Sequence, residues 1–184
     1  MLATSKIAIT GHTSGIGQGL FKAFENLNHD VIGYSRLNGY NLAEPGTITN
    51  IISSIRDLNC DTLIINAYYG YSQIELLYSA ANLWKNDPDK TIITISSNSG
   101  DGIKNFSHPY AIHKSALDKA AEQLANFHAA RIINIRPGFV DTPMVATITN
   151  YPKMSIERVV EVVIWAWSMP RDCVLKNITV TPRV

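Results

Sequence analysis

The chain has 184 residues, 46% of them apolar and 17% charged, with a formal net charge of +1. That length fits one domain over 1–184, able to bury roughly 70% of the surface its unfolded chain exposes without staples. The near-neutral balance gives no reason to expect nucleic acid or an anionic membrane as partner. Cys60 and Cys173 lie far apart, read as buried free thiols, and suit a reducing cytoplasm; no histidine spacing suggests a metal site.

Taken in chain order, short β-branched runs alternate with longer helical patterns. Strands are predicted over 6–10, 30–34, 61–66, 91–96, 131–136 and 177–181, and helices over 15–27, 46–58, 72–85, 109–129 and 155–167. Most strands are continuous apolar runs, as expected where helices cover both faces. Pro45 and Pro109 suit helix starts, Ser155 suits an N-cap, and Pro170 stops the last helix. The alternation predicts an α/β fold, a doubly wound parallel Rossmann-type sheet in three α/β/α layers. Residues 1–6 show no signal-peptide pattern, and 159–167 is too short to span a bilayer and carries Glu161, so a cytoplasmic protein is expected.

The first strand ends in Thr10-Gly11-His12-Thr13-Ser14-Gly15-Ile16-Gly17 and a helix follows. Gly11 permits a tight turn, Gly15 a close approach to a pyrophosphate, and Gly17 packing of helix on sheet. The helix start, with Thr13, Ser14 and Ile16 in its turn, offers free N–H groups to phosphates. This placement between first strand and first helix predicts dinucleotide binding. After the second strand stand Ser35 and Arg36, where an NAD-binding fold usually places an acid. A guanidinium there favours a 2′-phosphate, so NADP(H) is expected over NAD(H).

Tyr110 and Lys114 are four residues apart near a helix start, on one face. Lowering a phenol's pKa by about 3 units takes roughly 4 kcal/mol. A unit charge at about 4 Å supplies about that much at an effective dielectric of about 20. Ser97, thirteen residues before Tyr110, ends a strand and can hydrogen-bond a carbonyl.

With these residues the chain resembles the short-chain dehydrogenase/reductase family, as a compact, unusually short member. The glycine turn matches TGxxxGxG at Gly11, Gly15 and Gly17, and Ser97, Tyr110 and Lys114 match the family's serine and YxxxK. Residues 136–144, with Pro137 and Gly138, match its PG motif, where Thr142 and backbone near Val140 would hold the nicotinamide carboxamide. The resemblance implies hydride transfer between nicotinamide and a carbonyl or secondary alcohol. Tyr110 would move the proton, Lys114 would lower its pKa and bind the nicotinamide ribose, and Ser97 would polarise the carbonyl. It implies a homodimer or homotetramer, and Leu76, Leu77, Leu83 and Trp84 either feed that contact or pack on the sheet.

The chain also departs from the family's pattern. The usual NNAG reads Asn66-Ala67-Tyr68, so Asn66 and Ala67 fit while Tyr68 brings a side chain to where backbone usually passes the cofactor. Tyr68, Tyr69 and Tyr71 either stack on a ligand or cover the sheet end. A helix usual after this strand is missing, and the family's active-site asparagine has no clear match, Gln73 lying near its place. His113 stands where a small residue is common and reads as a half-buried polar neighbour. Only 145–154 separates the PG motif from the last helix, a short lid implying an open cleft. The tail, with Met169-Pro170-Arg171 ahead of it, is similar to NADP-dependent 3-hydroxy acid and serine dehydrogenases. An alternative is an NADP(H)-binding sensor or interaction protein on the same fold with little turnover.

Overall fold

The computed structural model describes residues 4–103 and 105–183. The first three residues of the segment read for a leader therefore lie outside it. The elements run β1 Lys6–Thr10, α1 Gly15–Asn26, β2 Asp30–Tyr34, α2 Thr47–Asp57, β3 Thr62–Ile65, α3 Ser72–Leu83, β4 Thr91–Ile95, α4 Pro109–Leu124, β5 Arg131–Pro137, α5 Ile156–Ser168 and β6 Asn177–Val180. Short 3-10 turns follow β2, β4 and β5.

All six strands pair in parallel, in the order β2-β1-β3-β4-β5-β6. Side chains alternate across each strand, so the sheet needs cover on both faces. Ile7, Ile9, Ile93, Ile133 and Ile135 meet Leu20 and Phe24 of α1 and Val159 and Val163 of α5 on one face. On the other, Ala8, Leu63, Ile65, Ile92 and Ile132 meet Ile51 and Ile55 of α2, Leu76 and Leu77 of α3, and Leu117 of α4. Leu76, Leu77 and Trp84 are buried and Leu83 packs against this core, so all four serve the sheet. The large apolar side chains that α3 and α4 do expose are Tyr78 and Ile112.

Two expectations need correction. The helix predicted to 129 ends at Leu124, because the N–H groups of Asn126 and Phe127 tighten to bonds three residues back, at Gln123 O and Leu124 O, and that of Ala129 bonds Lys85 O. No helix-breaking residue marks that end, and the contact that sets the turn is tertiary. Cys60 is buried as expected, its thiol pushed up to about 11 by burial, but Cys173 is only half-buried. Among the described residues no helix is long and apolar enough to cross a membrane.

Strand order decides where a ligand can enter. The chain leaves β1 in one direction to β2 and returns across it to β3, so the order reverses between β1 and β3. Such a switch point opens a crevice beyond the carboxyl ends of the strands. The six-stranded dinucleotide fold has order 3-2-1-4-5-6, with a further strand outside the second. Here β2 is the edge, and α3 begins after residues 66–71 with no helix between.

Candidate active site

The glycine turn closes the crevice at β1. Gly11 and Gly15 hold φ of 73° and 55°, left-handed values that favour glycine. A Cβ at Gly17 would stand 2.2 Å from Gly11 O and 2.6 Å from Asn66 Nδ2, so this glycine lets α1 start directly against the turn and the β3 end. Ser14, the N-cap of α1, makes no side-chain cap bond, so no hydroxyl covers the first N–H groups of the helix. Thr13 and Ser14 are exposed, whereas the Ile16 side chain packs into the core. The Thr142 methyl lies 3.4 Å from where a Gly15 Cβ would stand, so the β5 segment faces the glycine turn.

After β2, Ser35 is buried and caps a 3-10 turn over Arg36–Asn38. Its N–H donates to Asn38 Oδ1 at 2.7 Å, and Asn38 Nδ2 donates to Gly33 O at 2.7 Å. Ser35 is thus committed to building the turn. Arg36 is exposed, with no side-chain hydrogen bond or ion pair among the described residues. At β3, Asn66 Nδ2 donates to Thr10 O (3.1 Å) and Gly11 O (3.4 Å), and the Ala67 N–H donates to Thr10 O at 3.1 Å. These two residues lock the loops of β1 and β3 together.

The Ser97, Tyr110 and Lys114 side chains come together at the end of β4. Ser97 follows the strand, and its Oγ accepts the Ser99 N–H at 3.1 Å. Tyr110 sits in the first turn of α4, just after Pro109 at the helix start. Lys114 Nζ lies 5.3 Å from the Tyr110 ring centroid. The ammonium is 2% exposed as part of its residue and donates to Gln73 Oε1 (2.6 Å) and Ile95 O (2.8 Å).

The electrostatics differ from the sequence expectation. Burial pulls the Lys114 ammonium down to about 7, with Asp118 opposing. Burial raises the Tyr110 phenol above its ordinary value; the Ser97 hydroxyl opposes this, and Tyr68 and Asp118 add to it. Desolvation disfavours charge on both groups at once, so the lysine does not win over burial at the phenol.

Tyr68 turns inward. Its ring stands edge-on to Tyr110 at 4.9 Å, its hydroxyl bonds His113 Nδ1 at 2.8 Å, and Lys114 Nζ is 5.4 Å from its centroid. Tyr71 packs on His113 at 4.4 Å while remaining half open, and Tyr69 is 57% exposed. Two of the departures from the family pattern, Tyr68 and His113, are therefore one hydrogen-bonded pair. Asp118 was missed by sequence reasoning. It accepts from Ser96 Oγ (2.5 Å), Asn134 Nδ2 (2.8 Å) and Arg136 Nε (3.0 Å), and Arg136 also pairs with Asp101. Asn134 Nδ2 further donates to Asn177 Oδ1 at 2.9 Å, which ties edge strand β6 to α4 through the sheet. The available signal was a carboxylate one helical turn beyond Lys114 on the same face.

The segment after β5 is tightly held. The Gly138 N–H donates to Val180 O at 2.8 Å, and Val140, which is buried, bridges to Met154. Lys153 Nζ donates to Val145 O at 2.9 Å, closing 145–154 into a compact loop. Beside it lies an open recess of 470 Å³ lined by Asp141, Ile148, Thr149, Tyr151, Lys153 and Ser155.

Residues 50–173 match a family model described as Enoyl-(Acyl carrier protein) reductase. No curated protein matches the chain. Among solved structures it is similar to the 3-alpha-hydroxysteroid dehydrogenase from Pseudomonas sp. B-0831 complexed with NADH, with a TM-score of 0.76 at 18% identity over 96% of this chain and 95% of that one. It is similar to the 3-ketoacyl-(acyl-carrier-protein) reductase from Brucella melitensis complexed with NADH, with a TM-score of 0.77 at 14% identity over 96% of each chain. A serine dehydrogenase complexed with NADP+ aligns with a TM-score of 0.72 at 16% identity over 95% of this chain and 94% of that one. At these identities the likenesses establish the α/β fold.

Proposed function

We propose, from the premise that this chain belongs to the short-chain dehydrogenase/reductase family of oxidoreductases, that it is an NADP(H)-dependent enzyme acting on a carbonyl or secondary alcohol. The observation that carries this reading is the meeting of the Ser97, Tyr110 and Lys114 side chains beside the β1–β3 crevice.

The residues present fit a dinucleotide. Gly11, Gly15 and Gly17 shape a turn at an uncapped helix start, suited to a pyrophosphate. Arg36, exposed and without a partner among the described residues, suits a 2′-phosphate. Thr142 stands against the glycine turn, and Pro137, Gly138 and Val140 of the same segment would supply backbone to the nicotinamide end. When bound, the nicotinamide supplies or accepts hydride at its C4. The chain's own residues do the rest. Ser97 Oγ donates to the carbonyl oxygen and fixes its position. Tyr110 Oη gives that oxygen a proton in reduction and takes one from the alcohol in oxidation. Lys114, one turn along α4, offsets charge on the phenolate. The compact 145–154 loop leaves the cleft broadly open. Exposed Tyr78 and Ile112 on α3 and α4 suit a two-fold contact between copies.

A second reading, an NADP(H)-binding sensor with little turnover, is favoured by one observation: burial acts against charge on both Tyr110 and Lys114. One experiment separates the two. Purified chain is mixed with NADPH or NADH and a panel of ketones, 3-oxo esters and 3-hydroxy acids, following absorbance of the reduced nicotinamide. Turnover that falls by several orders of magnitude in Tyr110→Phe, with NADPH binding retained, supports the enzyme. A flat trace with tight NADPH binding supports the sensor. Arg36→Ala should weaken NADPH binding by about 10- to 150-fold and leave NADH unchanged; an unaltered preference removes the NADP(H) assignment.

A further inference from the structure

We propose that Gln73 and Tyr68 are positioning residues that cage Lys114 from the α3 side, aim its ammonium at Tyr110 and keep it protonated. The proposal rests on Lys114 being the lysine of the active site, as read above.

Gln73 is 3% exposed, and its carboxamide has only one workable orientation. Its Nε2 donates to Ile65 O and to Ile95 O, each at 3.1 Å, bridging the ends of β3 and β4. Turned over, the amide would set its oxygen against two carbonyl oxygens and its NH2 against the ammonium, losing every one of these bonds. The bridge therefore directs Oε1 at Lys114 Nζ, 2.6 Å away. Ile95 O takes a second ammonium N–H at 2.8 Å. What remains of the ammonium faces two aromatic rings, Tyr68 at 5.4 Å and Tyr110 at 5.3 Å. Ring faces attract cations, most strongly where water is excluded. Tyr68 is held in turn by its bond to His113 Nδ1 at 2.8 Å, with Tyr71 packed on the imidazole.

The cage answers a physical problem. A lysine this buried loses its charge unless acceptors replace water. Its neighbours that carry or gain charge are few: Tyr110 and Asp118 on α4, and Tyr68 from the loop after β3. Arg136 of β5 is occupied with Asp118 and Asp101. Two neutral acceptors and two rings hold the ammonium, while leaving Tyr110 close enough to feel it. An asparagine at 73 is one methylene too short to bridge both strand ends and still reach Lys114.

The test needs no substrate. Full-length chain carrying 15N at lysine Nζ is titrated by NMR, with the Lys114 signal assigned by its loss in Lys114→Met. Gln73→Met should lower the Lys114 midpoint by about one pH unit, a change of about tenfold in its ionisation constant. Tyr68→Leu should lower it by about half as much, and Gln73→Glu should raise it. Midpoints unmoved in Gln73→Met and Tyr68→Leu overturn the proposal. Should Gln73→Met not fold, Tyr68→Leu and Gln73→Glu decide it. A chain without turnover still passes or fails this titration, so failure of the cage and failure of the oxidoreductase reading are distinguishable. Where alcohol oxidation is measurable, its alkaline rise should move to higher pH in Gln73→Met; a lower kcat on an unmoved profile overturns the positioning role.

Discussion

Two loops face each other across the switch point, and they are built on opposite principles. The turn after β1 is made of backbone: left-handed Gly11 and Gly15, and Gly17 where a Cβ would strike Gly11 O at 2.2 Å. The loop at 66–71 after β3 is made of side chains: Asn66 sews it to Thr10 and Gly11, Tyr68 turns in, and Tyr71 packs on His113. The first lets neighbouring segments close in by omitting atoms. The second fills space and shapes the phenol and ammonium beside it. Backbone shape is local in sequence, whereas the second loop works only through α3 and α4.

The largest expected effect falls on the glycine turn. Gly17→Ala should cost about 3 kcal/mol, because the clash is with backbone that cannot swing aside. Urea midpoints measure this, and a change under about 0.5 kcal/mol would show that the turn is softer than its geometry. Gly15→Ala should cost about 1–2 kcal/mol, the left-handed backbone term alone, since the Thr142 methyl would be in ordinary contact.

The side-chain loop and its lysine should reveal themselves through pH. Folded Lys114 loses its proton near about 7, and the unfolded chain near the ordinary lysine value of about 10.4. Between these values the unfolded chain binds more protons, so folding stability rises with pH; below the window the cost of the buried charge is fully present. Urea midpoints of wild type relative to Lys114→Met should therefore improve steadily from pH 7 to 10, while a constant difference would remove the buried-charge account. The smallest effect belongs to exposed Tyr69: Tyr69→Ala should change stability by less than about 0.5 kcal/mol, and a larger loss in thermal unfolding would mean that the loop's outer face carries contacts too.

Much of this was legible in the sequence. β1 and β2 begin and end where their apolar runs do, and the starts of α1, α3 and α4 fall at the expected residues. Gly11 and Gly15 follow β1, Ser97 follows β4, and Tyr110 and Lys114 lie early in α4, as the sequence predicts, because strand ends and helix starts are local features. The end of α4 was misread because Ala129 is turned by a bond to Lys85, 44 positions away, which no local pattern records. The bonds by which Ser35 and Asn66 also hold their turns together are not legible in the sequence, since a polar side chain's partner is invisible until the chain is folded. The phenol's acidity was judged from one ammonium and one distance. Desolvation, which acts on both groups together, depends on everything packed around them.

The amino-acid order alone determined the alternation of strand and helix, the glycine turn and the residue types available for proton transfer, because each follows from backbone freedom or side-chain period over a few positions. The tertiary structure decided the strand order with β2 at its edge, the Tyr68–His113 pair, the Gln73 bridge and the Asp118 network. Those depend on which distant residues share a dry volume, and that is settled by packing.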